Sequence, residues 1–420
     1  MLFATPLVPN EVQYIPRPPT YDIPGLAPSD RQSFWLLPIS IALQISTLAI
    51  IGPLPKTSFL RAFLPAVVVP VIVGIGIQAA LFCHHLTSPV INFAYGTAAV
   101  CLTLQGIDLL LVIPYRYEIP ITEIFKIPSK PCPSVNPTWQ QRFNWAGACY
   151  NNPRMLLTPF EPSLLKRRRA KVAQLTRSQF LLNRATRVLT IWILIDFLLA
   201  WCRWDLWFSS KAHPITLPDT ILTGSVRTIL GASAIWMAVD SEHMICALVM
   251  VGIAGDDHKE WPDLFGIWTE EWYTLADFWA IAWHGLFRQQ FIFLTHTVKS
   301  PLLRVSIPFM FSAVLHFAGA WMQSRDGLEA AAFLMLQPVG IIVQQMVLGG
   351  NGTVGWKRKL FAWITTMVWL IATGYGFIET YAKGGMYDIE PIPISFLSLL
   401  GIVEGPVYRW RGILDHFQNH

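Results

Sequence analysis

A chain of 420 residues that is 53% hydrophobic and only 14% charged, with a mean hydropathy of +0.44, has too little polar surface for an ordinary soluble globular protein and reads as a polytopic membrane protein. Its formal charge of +5 is concentrated in loops, where membrane topology accounts for it, so no nucleic acid partner is expected. The six cysteines (Cys83, Cys101, Cys132, Cys149, Cys202 and Cys246) are scattered without zinc or redox spacing, which predicts buried or reduced thiols and no metal site.

Residues 1–33 form a polar arm carrying seven prolines (Pro6, Pro9, Pro16, Pro18, Pro19, Pro24 and Pro28), not a basic start followed by an apolar run. No cleavable signal peptide is expected, and insertion would rest on the first span. Taking about 20 apolar residues as one crossing, spans are predicted over Phe34–Leu54, Ala62–Phe82, Pro89–Ile113, Val188–Trp207 and Val226–Ile253. Further spans follow over Val305–Met322, Leu328–Leu348, Leu360–Ile378 and, more weakly, Ile392–Val403. The predicted fold class is all-α, a single domain over 34–420 with about eight or nine transmembrane helices. Proline and glycine inside the spans (Pro65, Pro70, Gly74, Gly76) suit membrane helices, whose neighbours can satisfy freed backbone groups.

The loop 114–187 holds the largest basic excess, including Lys166, Arg167, Arg168, Arg169, Lys171, Arg184 and Arg187, so it is placed in the cytosol. Counting outward from it, Lys56 and Arg61, then Lys259, Arg288, Lys299 and Arg304, then Lys357, Arg358 and Lys359, and finally Arg409 and Arg411 all fall on the same side. Arg203 and Lys211 fall on the disfavoured side, and the N-terminal arm is lumenal. Asn351-Gly352-Thr353 matches a glycosylation acceptor, but this orientation keeps it cytosolic and unmodified.

The residues most suggestive of chemistry lie in the segment 272–319. His316 interrupts a near-continuous apolar run, where an ionisable side chain is costly unless it faces a cavity or a partner. His284 sits among Trp272, Trp279 and Trp283, and if that segment were helical, Asp277, His284 and Arg288 would share one stripe. The plain alternatives are a structural hydrogen bond for His316 and a wetted interfacial helix for His284. For the two to meet, the segment about His284 must dip into the membrane region. Asp108, Asp196, Asp240, Glu242 and His243 are the other ionisable residues in spans. Asp240 and His243 share a helix face and are expected to pair structurally. The run KRRRAK at 166–171 is read as a topology signal rather than an anion site.

These windows resemble the wax synthase-like branch of the membrane-bound O-acyltransferases, in particular its fungal members that acetylate terpenoids and meroterpenoids. The branch's D-F-W-G-R-x-W-H-Q segment stands here as Asp277-Phe278-Trp279-Ala280-Ile281-Ala282-Trp283-His284-Gly285, with Arg288 after it. Its S-G-x-x-H-x-x-G pattern is matched from Ser312 through His316 to Gly319. Asn152-Pro153-Arg154, followed by Thr158-Pro159-Phe160-Glu161, echoes its N-P-R-G-I-G-T-P-W-E segment. The branch's Gly-Arg pair is Ala280-Ile281 here, and Met155 and Leu157 replace glycines. The resemblance implies a buried reaction chamber, His316 as general base and His284 as its catalytic partner. Arg288, Asp277, Trp283 and Arg154 become candidates for holding the coenzyme. It further implies no permanently bound cofactor, acetyl-CoA as co-substrate, an apolar terpenoid alcohol as acceptor, and a multi-pass protein of the endoplasmic reticulum bilayer. A long-chain alcohol or sterol acyltransferase is the alternative within the class, and a polytopic transporter the alternative outside it.

Overall fold

The computed structural model describes residues 35–82, 89–126, 137–210, 220–266, 272–293, 295–348, 355–404 and 406–408. The predicted arm 1–33 and the Asn351-Gly352-Thr353 acceptor lie outside them. In chain order the helices begin with α1 (Leu36–Ile51), α2 (Phe59–Phe82) and α3 (Pro89–Ile107), which runs on through a wide π-type turn, Asp108–Val112, into α4 (Ile113–Arg116). Next come α5 (Ile121–Ile124), α6 (Trp139–Tyr150), α7 (Ser163–Val172), α8 (Arg177–Trp204) and α9 (Ile221–Val249). The remainder are the short α10 (Leu275–Asp277) and α11 (Arg288–Ile292), then α12 (Pro301–Ser324), α13 (Leu328–Leu348), α14 (Trp356–Lys383) and α15 (Phe396–Leu399).

Seven helices among the described residues are long and apolar enough to cross a membrane, as an all-α polytopic protein requires. Helix α1, with 16 residues, is a shorter apolar helix. The stretch 392–403 is not a helical span: it folds as a bridge between Ile394 and Tyr408 and the single turn α15. Asp196 accepts hydrogen bonds there from Ser395 Oγ at 2.9 Å and Leu397 N at 2.8 Å, which fixes the turn. The described part of the basic region 114–187 is largely helical rather than an open loop. Thr138 with Gln141, and Thr176 with Gln179, close capping boxes that start α6 and α8.

The chain divides into two compact units. The first gathers the described parts of 22–168 and 265–366. Its core packs Leu48 and Ile51 of α1 with Ile72 of α2, Leu109 and Ile113, and Trp145 of α6. The buried Arg61 guanidinium donates to the carbonyls of Leu54, Pro114, Tyr117 and Ile119 at 2.9–3.1 Å, so the α1–α2 turn and the end of α4 lie together, as the loop count expects. Helices α3 and α12 cross in close contact. A Cβ on Gly96 would stand 2.4 Å from the Ala318 carbonyl oxygen, and one on Gly319 would strike Phe93 and Thr97, so glycine at both positions permits the approach.

The second unit gathers the described parts of 169–264 and 367–408. Val188, Ile191, Ile195 and Leu199 of α8 pack on Met244 of α9 and on Ile392. Asp240 pairs with Arg187 at 2.7 Å, not with His243, whose Nε2 lies 3.1 Å from the Pro262 carbonyl. Asp263 takes Arg184 at 2.5 Å and Arg187 at 2.7 Å. Burial opposes the charge of Asp263, but the two guanidiniums outweigh it and hold the carboxyl below its ordinary range. The pairing of Asp240 is therefore structural, with Arg187 as partner because arginine reaches both carboxylates at once.

Candidate active site

The site is built on the segment 272–293, which is not one helix. Thr274 caps α10, and the Asp277 carboxylate accepts from the Thr274 hydroxyl at 2.7 Å to complete a capping box. A π-type turn, Phe278–Ala282, follows, and Trp283 then turns extended with ψ 160, ending the helical path. The expected stripe of Asp277, His284 and Arg288 therefore does not form, because those residues sit on three separate local structures. Asp277 braces the entry to the segment rather than pointing along it toward His284.

Side chains from elsewhere in the unit hold this irregular path. Gln344 of α13 accepts from Leu275 N at 2.7 Å, and its amide nitrogen donates to Ala362 O, Thr365 Oγ1 and Thr366 Oγ1 at 2.9–3.0 Å. One heptad earlier on the same helix, Gln337 accepts from the Trp279 indole at 3.3 Å. The tenth residue of the 21 in α13, Gln337 lies at mid-span, so the Trp-rich segment reaches that depth. Trp279 also packs edge-on against Phe309 of α12 at 5.5 Å. Arg168, buried in the basic run, donates to Ile281 O at 2.7 Å, and Gly266 N donates to Ala282 O at 2.9 Å. Backbone without helical bonds is tolerated at membrane depth only when protein groups satisfy it, and these residues do so.

His284 and His316 converge. Each lies within electrostatic reach of the other, as does Arg154 of His284. Both residues are half-buried, and each imidazole is enclosed by protein. His316 meets the Phe93 ring at 6.0 Å. His284 is framed by Trp283 at 5.4 Å and by Phe265 edge-on at 5.5 Å, and its buried Nδ1 has no hydrogen-bond partner among the described residues. Enclosure in protein, and then the charge of Arg154, hold the His284 imidazole down to about 4, so it is neutral near pH 7. A neutral imidazole keeps one N–H to donate and one lone pair to accept.

Arg154 arrives on a loop whose motif is self-bracing. Asn152 clamps Leu156 by bonds to its N and O at 2.8 Å each, Thr158 Oγ1 donates to Met155 O at 2.7 Å, and Glu161 accepts from Leu157 N at 3.3 Å. Met155 and Leu157, at the two positions where the resembling branch has glycine, have φ of 55 and 60 degrees. A side chain in that left-handed region costs roughly 1–2 kcal/mol. Met155 is offset by full burial in the core of its unit, whereas Leu157 is only half-buried. The neighbouring Pro153 carbonyl lies 3.5 Å from the amide nitrogen of buried Gln290, and Gln289 donates to the buried carboxyl of Asp108 at 3.1 Å, tying this loop and α3 to α11.

Arg288 opens α11 exposed, its guanidinium makes no ion pair or hydrogen bond among the described residues, and the surrounding protein lowers its affinity for its proton. Trp283 is half-buried against the Phe278 and Trp279 rings. Sequence reading missed Gln337, Gln344 and Arg168. Two glutamines seven apart on an apolar span were the available signal for the first pair, since polar side chains there must meet a partner. For Arg168, position within a basic run gave no such signal.

An integral membrane enzyme with two converging histidines is what this fold and site define. A profile described as the membrane bound O-acyl transferase family matches residues 261–336, the stretch that contains both histidines. The acetyltransferase eriL of Hericium erinaceus is 23% identical over 338 residues, spanning 73% of this chain and 81% of that protein. The acetyltransferase ataH of Aspergillus terreus is 31% identical over 217 residues, spanning 44% of this chain and 69% of that one. The acetyltransferase aurG of Calcarisporium arbuscula is 25% identical over 235 residues, spanning 49% and 53%. No solved structure matches the chain. The chain belongs to the membrane bound O-acyl transferase family and is an acyltransferase.

Proposed function

We propose that the protein transfers an acetyl group from acetyl-CoA to a hydroxyl of an apolar terpenoid or meroterpenoid alcohol. The observation that carries this reading is that His316 and His284, from separate stretches of the chain, lie enclosed in protein within electrostatic reach of one another. His316 takes the hydroxyl proton as the oxygen attacks the thioester carbonyl. Neutral His284 donates its N–H to the oxyanion that develops there, and collapse expels the CoA thiolate, which recovers the proton. Arg288, exposed at the start of α11, and Arg154, within electrostatic reach of His284, are the candidates for the coenzyme phosphates, and Trp283 is the candidate apolar surface for the pantetheine arm. Asp277, engaged with Thr274, positions the segment instead of touching the coenzyme. The acetyl preference is supported by the names of the fungal relatives. Residence in the endoplasmic reticulum with basic loops cytosolic fits a polar donor arriving from the cytosol and an apolar acceptor arriving through the bilayer.

Microsomes carrying the protein, supplied with labelled acetyl-CoA or palmitoyl-CoA and a panel of terpenoid alcohols, test the reading. Acetyl esters are expected, and His316→Ala is expected to lower turnover by roughly 10²- to 10⁴-fold at unchanged protein level. Palmitoyl esters alone would replace acetyl transfer with the long-chain alternative. Near-wild-type turnover by His316→Ala would remove the general-base assignment.

A further inference from the structure

On α12, Phe309, His316 and Gln323 follow one another at intervals of seven and therefore share one stripe of the helix. Phe309 packs on Trp279 of the site segment and His316 lies within electrostatic reach of His284, so the stripe faces the reaction site. Gln323 is only 6% exposed, and neither Nε2 nor Oε1 of its amide has a hydrogen-bond partner among the described residues. Burying an amide with both ends unpaired costs about 1–3 kcal/mol, which an apolar residue would avoid. In the buried Gln337 and Gln344 of α13 both ends of the amide are paired, Gln344 alone joining Leu275 to α14.

We propose that Gln323 is a specificity-determining residue that recognises a second hydrogen-bonding group on the acceptor. This rests on the assignment of His316 as the base at the reacting hydroxyl. Seven residues of helix rise about 10.5 Å, so the recognised group lies about 10 Å from the hydroxyl that is acylated. That is the length of a rigid fused-ring skeleton polar at both ends. An amide offers one donor and one acceptor side, so it pairs with a hydroxyl in either sense and with a ketone through Nε2.

The test uses the purified full-length protein and two probes, a steroid diol hydroxylated at both ends of its ring system and the corresponding mono-ol. Binding is followed by quenching of tryptophan fluorescence, and acetyl transfer is measured in parallel. Wild type is expected to bind the diol about tenfold more tightly than the mono-ol. Gln323→Leu and Gln323→Met are expected to lose that preference while binding and acetylating the mono-ol as wild type does. His316→Ala should keep the diol preference and lose turnover, so failure of the base assignment shows in turnover and failure of the present proposal in the preference. Equal affinity of wild type for the two probes, or a diol preference retained by both Gln323 variants, overturns the proposal.

Discussion

Replacing Gly96 by alanine isolates the contact that sets the position of His316. The added methyl would lie 2.4 Å from the Ala318 carbonyl oxygen, 2.8 Å from its carbon and 3.0 Å from Gly319 Cα, all backbone atoms that no rotamer change can move aside. Ordinary contact begins at 3.4 Å, so α3 and α12 must part locally by 3.4 − 2.4 = 1.0 Å. His316 is two residues from the point of collision and moves with it. Overpacking of this kind costs about 1–3 kcal/mol, and a 1 Å displacement of a catalytic group costs on the order of 10² in rate. The assay is acetyl transfer normalised to protein level, with thermal unfolding in detergent alongside. Gly74→Ala in α2 is the control, because its methyl meets nothing within 4 Å. That substitution should leave turnover unchanged and stability equal or slightly raised. Wild-type turnover and melting in Gly96→Ala would refute the argument that this crossing positions the base.

Within the basic run, Arg168→Ala is expected to lower stability by about 1.5–3 kcal/mol through loss of the bond to Ile281 O, and to depress turnover, while Lys166→Ala changes neither; equal effects on thermal unfolding would remove the distinction. At position 157, where φ is 60 degrees, Leu157→Gly should melt above Leu157→Ala by an amount equivalent to about 1 kcal/mol, the reverse of the order in a helix. His284 gives a pH prediction of definite sign. Its folded value of about 4 lies below the ordinary 6.5, so the unfolded chain binds the extra proton first. Its contribution, up to roughly 3 kcal/mol, is complete above pH 6.5 and is lost as pH falls toward 4. Unfolding of His284→Gln across that window should lack this component. Gln344→Leu, which orphans Leu275 N, should lower turnover with little change in the KM for acyl-CoA; an effect confined to that KM would contradict a positioning role.

The spans were legible because long apolar runs have few alternatives in a chain of this composition. His316 stood out for the same reason, as a titratable group inside such a run. The path through His284 was not legible, because it is set by groups distant in sequence. Gln337 and Gln344 take the Trp279 indole and the Leu275 amide, Arg168 takes the Ile281 carbonyl, and local periodicity records none of these. A helical wheel drawn through Asp277, His284 and Arg288 assumes a continuity that ends at the extended Trp283. The Asn152–Glu161 motif was recognised as a pattern, but its physical content, a turn with two left-handed residues, became visible only with the backbone angles. Ile392–Val403 was apolar enough to suggest a span, yet Asp196 fixes its Ser395–Leu397 part in a turn.

The bond from Leu275 to Gln344 has a consequence for the order in which the protein matures. The two residues are separated by 69 positions, so the segment that carries His284 leaves the ribosome before the helix that holds it exists. At about 5–20 residues per second that interval lasts several seconds. Throughout it the segment has no partner for the Leu275 amide or the Trp279 indole, and its tryptophans favour the headgroup region of the bilayer. The site therefore closes late in synthesis, when α13 enters the membrane and draws a waiting surface segment inward, and truncation before Gln344 should leave that segment open to proteases that the finished enzyme resists.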